Sequence, residues 1–195
     1  AELVAFDTLT DTHLPEADGL FIGGGFPETQ LEALSANESL LQDIRQALAA
    51  GMPAYAECGG LMYLARNIRW RGKCRDMVGA VPADVRVGNR PQGRGYMILE
   101  ETGNSPWPGL PHKASAGGSH AKPTAIRVHE FHYARLQNLE VDPVFTQNVL
   151  RGAGIDGAND GLVINNLVAG FAHHRNTEAN PWVERFVAFV REQSA

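Results

Sequence analysis

Apolar and polar positions follow two rhythms along this chain. In the first half, short apolar runs are followed by stretches with helical spacing. Leu3–Phe6, Gly19–Ile22 and Pro53–Ala56 are compact and apolar, and read as strands. Residues 28–34 and 38–50 carry helical patterns, and in the second of these Leu40, Leu41, Ile44, Ala47 and Leu48 share one face. Asn37 is placed to cap the start of that helix and Gly51 its end. Residues 59–66 continue as a helix behind the third strand. Alternation of this kind predicts a mostly parallel sheet with helices packed on its faces. In such sheets ligands gather at the carboxyl ends of the strands. Gly23–Gly25 and Glu57–Gly60 both stand at such ends, so one crevice is expected to receive both.

The second half is richer in strands, with stretches expected over 77–87, 95–100 and 126–133. Within the last, alternation puts His129 and Phe131 on one face and Glu130 and His132 on the other. Residues 101–125, crowded with Gly, Pro, Ser and His, read as a surface loop. Leu162–Ile164 and Leu167–Phe171, separated by Asn165 and Asn166, read as a hairpin. A closing helix over 180–192 places Trp182, Phe186 and Phe189 on its buried side. There is no internal repeat.

Composition narrows the function classes. A length of 195 residues suffices for one domain with a real core, and 44% hydrophobic with 20% charged content excludes a disordered chain. The net charge of −5 gives no electrostatic case for nucleic acid or an anionic membrane. No apolar run has the length of a membrane span, and no signal peptide is visible. The two cysteines form no CxxC pair and no disulfide framework, which points to a reducing, cytoplasmic setting. Ala1 stands directly before a strand-like run, so the chain reads as a single domain, 1–195, cut from something longer.

The chemistry concentrates in Pro53-Ala54-Tyr55-Ala56-Glu57-Cys58-Gly59-Gly60-Leu61-Met62-Tyr63-Leu64. An apolar strand ends in a cysteine, two glycines follow, and a helix begins. That is the pattern of a nucleophile elbow, in which glycine removes the Cβ atoms that would clash. A cysteine beside a helix N-terminus is electrostatically favoured as the thiolate, the nucleophilic form. Most free cysteines are buried and inert, and the glycine pair is what sets Cys58 apart. Cys74, among Arg71, Lys73 and Arg75, has no comparable setting. A cysteine nucleophile needs a base and oxyanion donors. His173-His174 and His129/His132 both supply imidazoles, and spacing alone does not choose between the pairs. Backbone N–H groups at Gly59 and in Gly23–Gly25 are the natural oxyanion donors.

Three segments carry a resemblance: Gly23-Gly24-Gly25-Phe26-Pro27-Glu28, Ala56 to Leu64, and His129-Glu130-Phe131-His132-Tyr133. In order and distance they resemble the glutamine amidotransferase domain of cobyrinic acid a,c-diamide synthases, over almost the whole chain. The resemblance implies an α/β, three-layer class I glutamine amidotransferase-like (flavodoxin-like) fold with a mostly parallel central sheet. It also implies glutamine hydrolysis through a cysteinyl-glutamyl intermediate. By it, Cys58 is the nucleophile, His173 the catalytic histidine, and Gly25 and Gly59 the oxyanion positions. Glu130 and His132, which share one strand face, are assigned to the wall of the glutamine or ammonia path as substrate contacts, with a buried Glu–His pair that stabilises the sheet as the alternative. Two departures stand out. The family often has His-x-His here, against His173-His174-Arg175, and many class I enzymes carry a carboxylate where Arg175 stands. A Cys–His dyad without a following acid is therefore implied.

No GxxxxGK[ST] is present, so the chain reads as the glutaminase half alone, with no metal and no cofactor of its own. ATP and Mg belong by implication to a synthetase domain that precedes Ala1 or sits on another chain. Glutamine and that domain are the implied partners. The acceptor implied is a tetrapyrrole carboxylate, cobyrinic acid first, with siroheme or nickel-sirohydrochlorin as the alternative. A non-catalytic amidotransferase-like module and a cysteine peptidase are the readings from other classes.

Overall fold

The computed structural model describes residues 1–109 and 125–194. The middle of the loop expected over 101–125 thus lies outside the described residues. Strand β1 (Leu20–Ile22) is followed by a 3-10 turn at Pro27–Gln30 and by helices α1 (Leu31–Ala36) and α2 (Glu38–Ala49). Then come β2 (Ala54–Glu57), α3 (Gly59–Leu64), β3 (Ala65–Trp70), β4 (Lys73–Asp76), β5 (Val81–Val87) and β6 (Gly93–Glu101). Next in the chain are β7 (Ile126–His132), β8 (Ala134–Gln137), β9 (Val144–Arg151), β10 (Asn159–Ile164), β11 (Leu167–Gly170) and α4 (Trp182–Gln193).

The main sheet has the order β1-β2-β11-β10-β9-β6-β7. Its first three strands are parallel, and every pairing beyond β11 is antiparallel. A second sheet, β4-β3-β5-β8, forms a separate layer that the sequence pattern does not predict. Helix α3 ends two residues earlier than the sequence predicts and passes straight into β3. No glycine or proline marks that junction; pairing of β3 with β5 and β4 decides it.

Helix α2 buries Leu40, Leu41, Ile44 and Leu48, the face expected of it. Its end is a Schellman turn: Gly51 has φ 94°, its N–H donates to Leu48 O at 3.1 Å, and that of Met52 donates to Ala47 O at 3.0 Å. Its start is not capped by the Asn37 side chain. Asn37 Nδ2 instead donates to the carbonyls of Thr8 and Asp11 and pins the N-terminal segment. That segment is not a strand: residues 1–6 are coil, and Leu3 is 96% exposed. A strand persists only when paired, and this run does not reach the free edge of β1.

The parallel strands divide two cores. Ala54 and Ala56 of β2 face α1, α2, α3 and the small sheet, in a cluster with Leu31, Ile44, Leu61 and Val85. Tyr55 faces the opposite way, packed with Trp107, Val168, Phe186 and Phe189 under α4. This is the expected α/β three-layer arrangement, and it leaves the carboxyl ends of β1, β2 and β11 side by side. No helix among the described residues is long and apolar enough to cross a membrane.

Candidate active site

Three neighbouring parallel strands deliver three loops to one place. Gly23–Gly25 follows β1, Cys58 follows β2, and His173 follows β11. The glycines make the approach possible. A Cβ on Gly60 would overlap the carbonyl of Ile22, and one on Gly59 would lie 2.6 Å from Gly25 N. Helix α3 can therefore press its first turn against the loop after β1 only while positions 59 and 60 lack side chains. Cys58 sits at φ 47°, ψ −101°, which L-residues rarely adopt. Such a conformation costs about 1–3 kcal/mol and persists where the surroundings over-determine it. Here the Cys58 N–H donates to Gly170 O at 2.7 Å, and Cys58 O accepts from Met62 N at 3.2 Å. The turn is tied to β11 on one side and to α3 on the other. The thiol points at Phe131 O, 3.7 Å away.

His173 meets Cys58 on one side, and on the other its Nδ1 lies 3.6 Å from Glu57 Oε2. Cys58 first and Glu57 second raise its pKa to about 10, so the ring is an imidazolium at neutral pH. Its Cε1 faces Gly24, where a Cβ would intrude on the ring. His174 turns the other way, toward Asn180 Nδ2 at 3.0 Å and Gln147 Nε2 at 3.4 Å. Desolvation holds it neutral, with its pKa down to about 4. Adjacent histidines thus have opposite fates, and position 173 is the one that reaches the sulfur. Glu57 itself is 7% exposed. Burial pushes its carboxyl up, but His173, the Tyr55 hydroxyl and the His174 N–H outweigh this and hold it below the usual range.

The other histidine pair is split as well. His129 stacks on His173 with ring centres 4.8 Å apart, and the two exchange backbone hydrogen bonds of 2.8 and 3.4 Å. Strand β7 is at the far end of the sheet order, so the sheet curls until β7 meets the end of β11. Burial first, and then the charges of His173 and Arg175, push the His129 pKa down. Glu130 and His132 share one face, as alternation requires, but it is the interior face. Glu130 is 3% exposed; Oε1 accepts from Ala153 N at 2.8 Å and Oε2 from Gly154 N at 3.0 Å. His132 stacks on Phe171 at 3.9 Å, with Nδ1 on Ala134 O at 2.9 Å. Each oxygen of Glu130 thus accepts from a backbone N–H of the chain itself. Gly25 and Gly59 lie together beside Cys58, and among the described residues nothing lies within 4 Å of a Cβ built on Gly25. Cys74 is exposed on β4, remote from this cluster in the second sheet.

Asp160 is not singled out by its sequence setting, a bare Asp-Gly. It is 1% exposed, and its oxygens accept from Phe171 N at 3.0 Å and Ala172 N at 2.9 Å. It clamps the two residues immediately before His173. Desolvation raises its pKa to about 6.

Comparison with known proteins agrees with this architecture. Two solved structures share the fold. A glutamine amidotransferase has TM-score 0.58 at 15% identity, covering 91% of this chain and 80% of that one. PurLQS from Thermotoga maritima has TM-score 0.58 at 15% identity, covering 95% and 81%. Two relatives named cobyrinate a,c-diamide synthase are nearer in sequence. That of Magnetococcus marinus is 40% identical over 194 residues, spanning 100% of this chain and 39% of the relative. That of Methanosarcina barkeri is 39% identical over 186 residues, spanning 89% and 35%. This chain thus spans well under half the length of the relatives it matches. The profile of the CobB/CobQ-like glutamine amidotransferase domain matches residues 1–181, and the chain belongs to that family.

Proposed function

We propose that this chain hydrolyses glutamine at Cys58 and passes the ammonia to an ATP-dependent synthetase that amidates a tetrapyrrole carboxylate, cobyrinic acid in the first instance. The observation that carries this reading is the meeting of Cys58, strained on its turn, with His173 and the glycine loop at three adjacent strand ends. The corrinoid acceptor rests on the two relatives named above.

The chemistry follows from the side chains. With the proton already on His173, the Cys58 sulfur attacks the side-chain carbonyl carbon of glutamine. Charge collects on the carbonyl oxygen, where the N–H groups of Gly25 and Gly59 serve as donors. As first residue of α3, Gly59 has no intrahelical acceptor for its N–H. The tetrahedral adduct collapses as the His173 imidazolium protonates the departing nitrogen, giving ammonia and a glutamyl thioester. Water then attacks the thioester while His173 takes its proton. The sulfur leaves, the proton stays on His173, and glutamate is released. A ring held as imidazolium suits the first collapse, because ammonia leaves poorly unless protonated. ATP and Mg act in the synthetase, outside this chain. A free catalytic thiol fits a reducing compartment, and the cytoplasm is the proposed location.

The test is glutamate release from glutamine by the full-length protein and by Cys58→Ala. Loss of at least ~10⁴-fold in kcat, with the melting curve little changed, is expected when a covalent nucleophile is removed. A glutamine-analogue electrophile should label Cys58 and spare Cys74. Labelling confined to Cys74, or cleavage of peptides in place of glutamine, rejects the proposal.

A further inference from the structure

We propose that Glu57, the residue before the nucleophile, is the carboxylate that orients His173, in the place of the acid that Arg175 does not supply. The inference rests on the reading of Cys58 and His173 as the reacting pair.

Topology makes this possible. Glu57 ends β2, and its register partner in the parallel neighbour β11 is Gly170. The chain leaving β11 reaches His173 three residues on, within reach of a carboxylate standing at the end of β2. Along β2, Tyr55 and Glu57 share a face, and the Tyr55 hydroxyl donates to Glu57 Oε1 at 2.6 Å. The same oxygen accepts from the backbone N–H of His174 at 2.9 Å. Oε2 remains for the ring, 3.6 Å from His173 Nδ1. One side chain therefore grips the backbone just behind His173 and faces its imidazole.

The consequence is a fixed orientation of the ring, and a single tautomer whenever it has given up its proton. With its Nδ1–H turned to Glu57, the ring presents Nε2 to the sulfur, the arrangement a Cys–His pair needs. A separation of 3.6 Å is longer than a formed hydrogen bond, as is common before substrate tightens a site. The neighbouring cation does not fill this role. Arg175, two residues beyond His173, is exposed and carries the wrong sign. The other titratable and charged groups near the pair are His129 stacked on the ring, His174 and Tyr55 beside Glu57, Asp160 behind Tyr55, and Glu101 beyond His174. Among them only Glu57 brings an anion to Nδ1 of His173. Its carboxyl is held ionised by its hydrogen bonds, and with Cys58 it raises the ring's affinity for a proton.

The experiment compares Glu57→Gln, Glu57→Asp and Tyr55→Phe in the full-length protein. Three quantities are read: kcat and KM for glutamine from about pH 6 to 10.5, spanning the titration of the ring, the pH profile of iodoacetamide alkylation at Cys58, and the melting temperature. Alkylation is mapped by peptide mass spectrometry, so that Cys74 is counted apart. Glu57→Gln should lower kcat by ~10²-fold or more with KM little changed, as for loss of general acid–base function. The alkaline limb of kcat/KM should move to lower pH, because the ring no longer has an anion to keep its proton. Glu57→Asp should restore part of both. Tyr55→Phe removes a structural hydrogen bond but no charge, and should lower the melting temperature without moving the pH profile. A Glu57→Gln protein that melts earlier yet keeps the wild-type pH profile makes Glu57 a brace only, and overturns the inference. If Glu57→Gln does not fold, Glu57→Asp decides, since a brace shortened by one methylene moves no limb. A wild-type protein that releases no glutamate, but whose Cys58 alkylation profile shifts with Glu57, refutes the glutaminase reading and leaves the orienting role standing.

Discussion

The middle glycine of Gly23-Gly24-Gly25 should control activity through His173, and its neighbour at position 23 should not. A Cβ built on Gly24 falls inside contact distance of His173 Cε1, with Nδ1 at 3.1 Å and Nε2 at 3.4 Å. Carbon–carbon contact is comfortable only from ~3.5 Å, so in Gly24→Ala the ring must retreat by about 1 Å. The ring is confined on its other sides by the stacked His129 and by Glu57. Displacement of that size in a reacting group costs about 10²-fold in rate. The stability effect is smaller, because the obstructing atoms belong to a side chain and φ at Gly24 is not positive; about 1 kcal/mol is the scale of mild overpacking. Position 23 is the control. Among the described residues its Cβ would meet only the Phe21 ring at 3.8 Å, an ordinary contact. Glutaminase kcat/KM and melting temperature of Gly23→Ala and Gly24→Ala decide the matter. Equal activities in the two variants, or the larger loss at position 23, refute the steric argument and with it the placement of His173 against the glycine loop.

Asp160 should make stability depend on pH in the direction opposite to most acidic groups. A raised folded-state pKa means its contribution is full below the ordinary value of 3.8 and is lost as pH climbs through about 6. The rise corresponds to about 3 kcal/mol, the larger part of it falling between about pH 4 and pH 7. Urea denaturation of wild type against Asp160→Asn across that range should show wild type losing ground by this amount; a constant gap refutes it. Glu130→Gln should lower stability by about 1–3 kcal/mol, because an amide cannot accept from both Ala153 and Gly154. KM for glutamine should stay put, and a selective rise in KM without loss of melting temperature would return Glu130 to the substrate path.

The sequence is most legible where local chemistry and topology agree. Cys58-Gly59-Gly60 announces a turn that excludes Cβ atoms, and the structure shows the backbones that exclude them. The face of α2 and its Gly51 ending follow from spacing and from the freedom of glycine at φ 94°. Elements whose existence depends on distant partners are the ones that escape. Residues 65–70 follow the helical stretch without a glycine or proline between them, and pairing with β4 and β5 on either side makes them a strand. Strand β9 buries just Phe145 and Thr146 fully, so it has no period-2 signature to read. Leu3–Phe6 has the opposite fault: the composition of a strand, but no pairing with any strand among the described residues.

The site shows the same division more sharply. Alternation correctly separates His129 from Glu130 and His132, but it is silent on which face becomes interior. That is settled by the curl that carries β7 round to the end of β11, a property of the whole sheet. Glu57 is the converse case. A search for the acid along the chain after His173 meets Arg175 and stops. Yet in a parallel sheet the neighbour of a residue leaving one strand is a residue ending the next, however far away in sequence. Glu57 and Gly170 are such a pair. The carboxylate that a linear motif expects two residues downstream of the histidine is equally reachable from the strand that carries the nucleophile. Where a motif lacks a member, the register of the strands that deliver the others is the place to look for it.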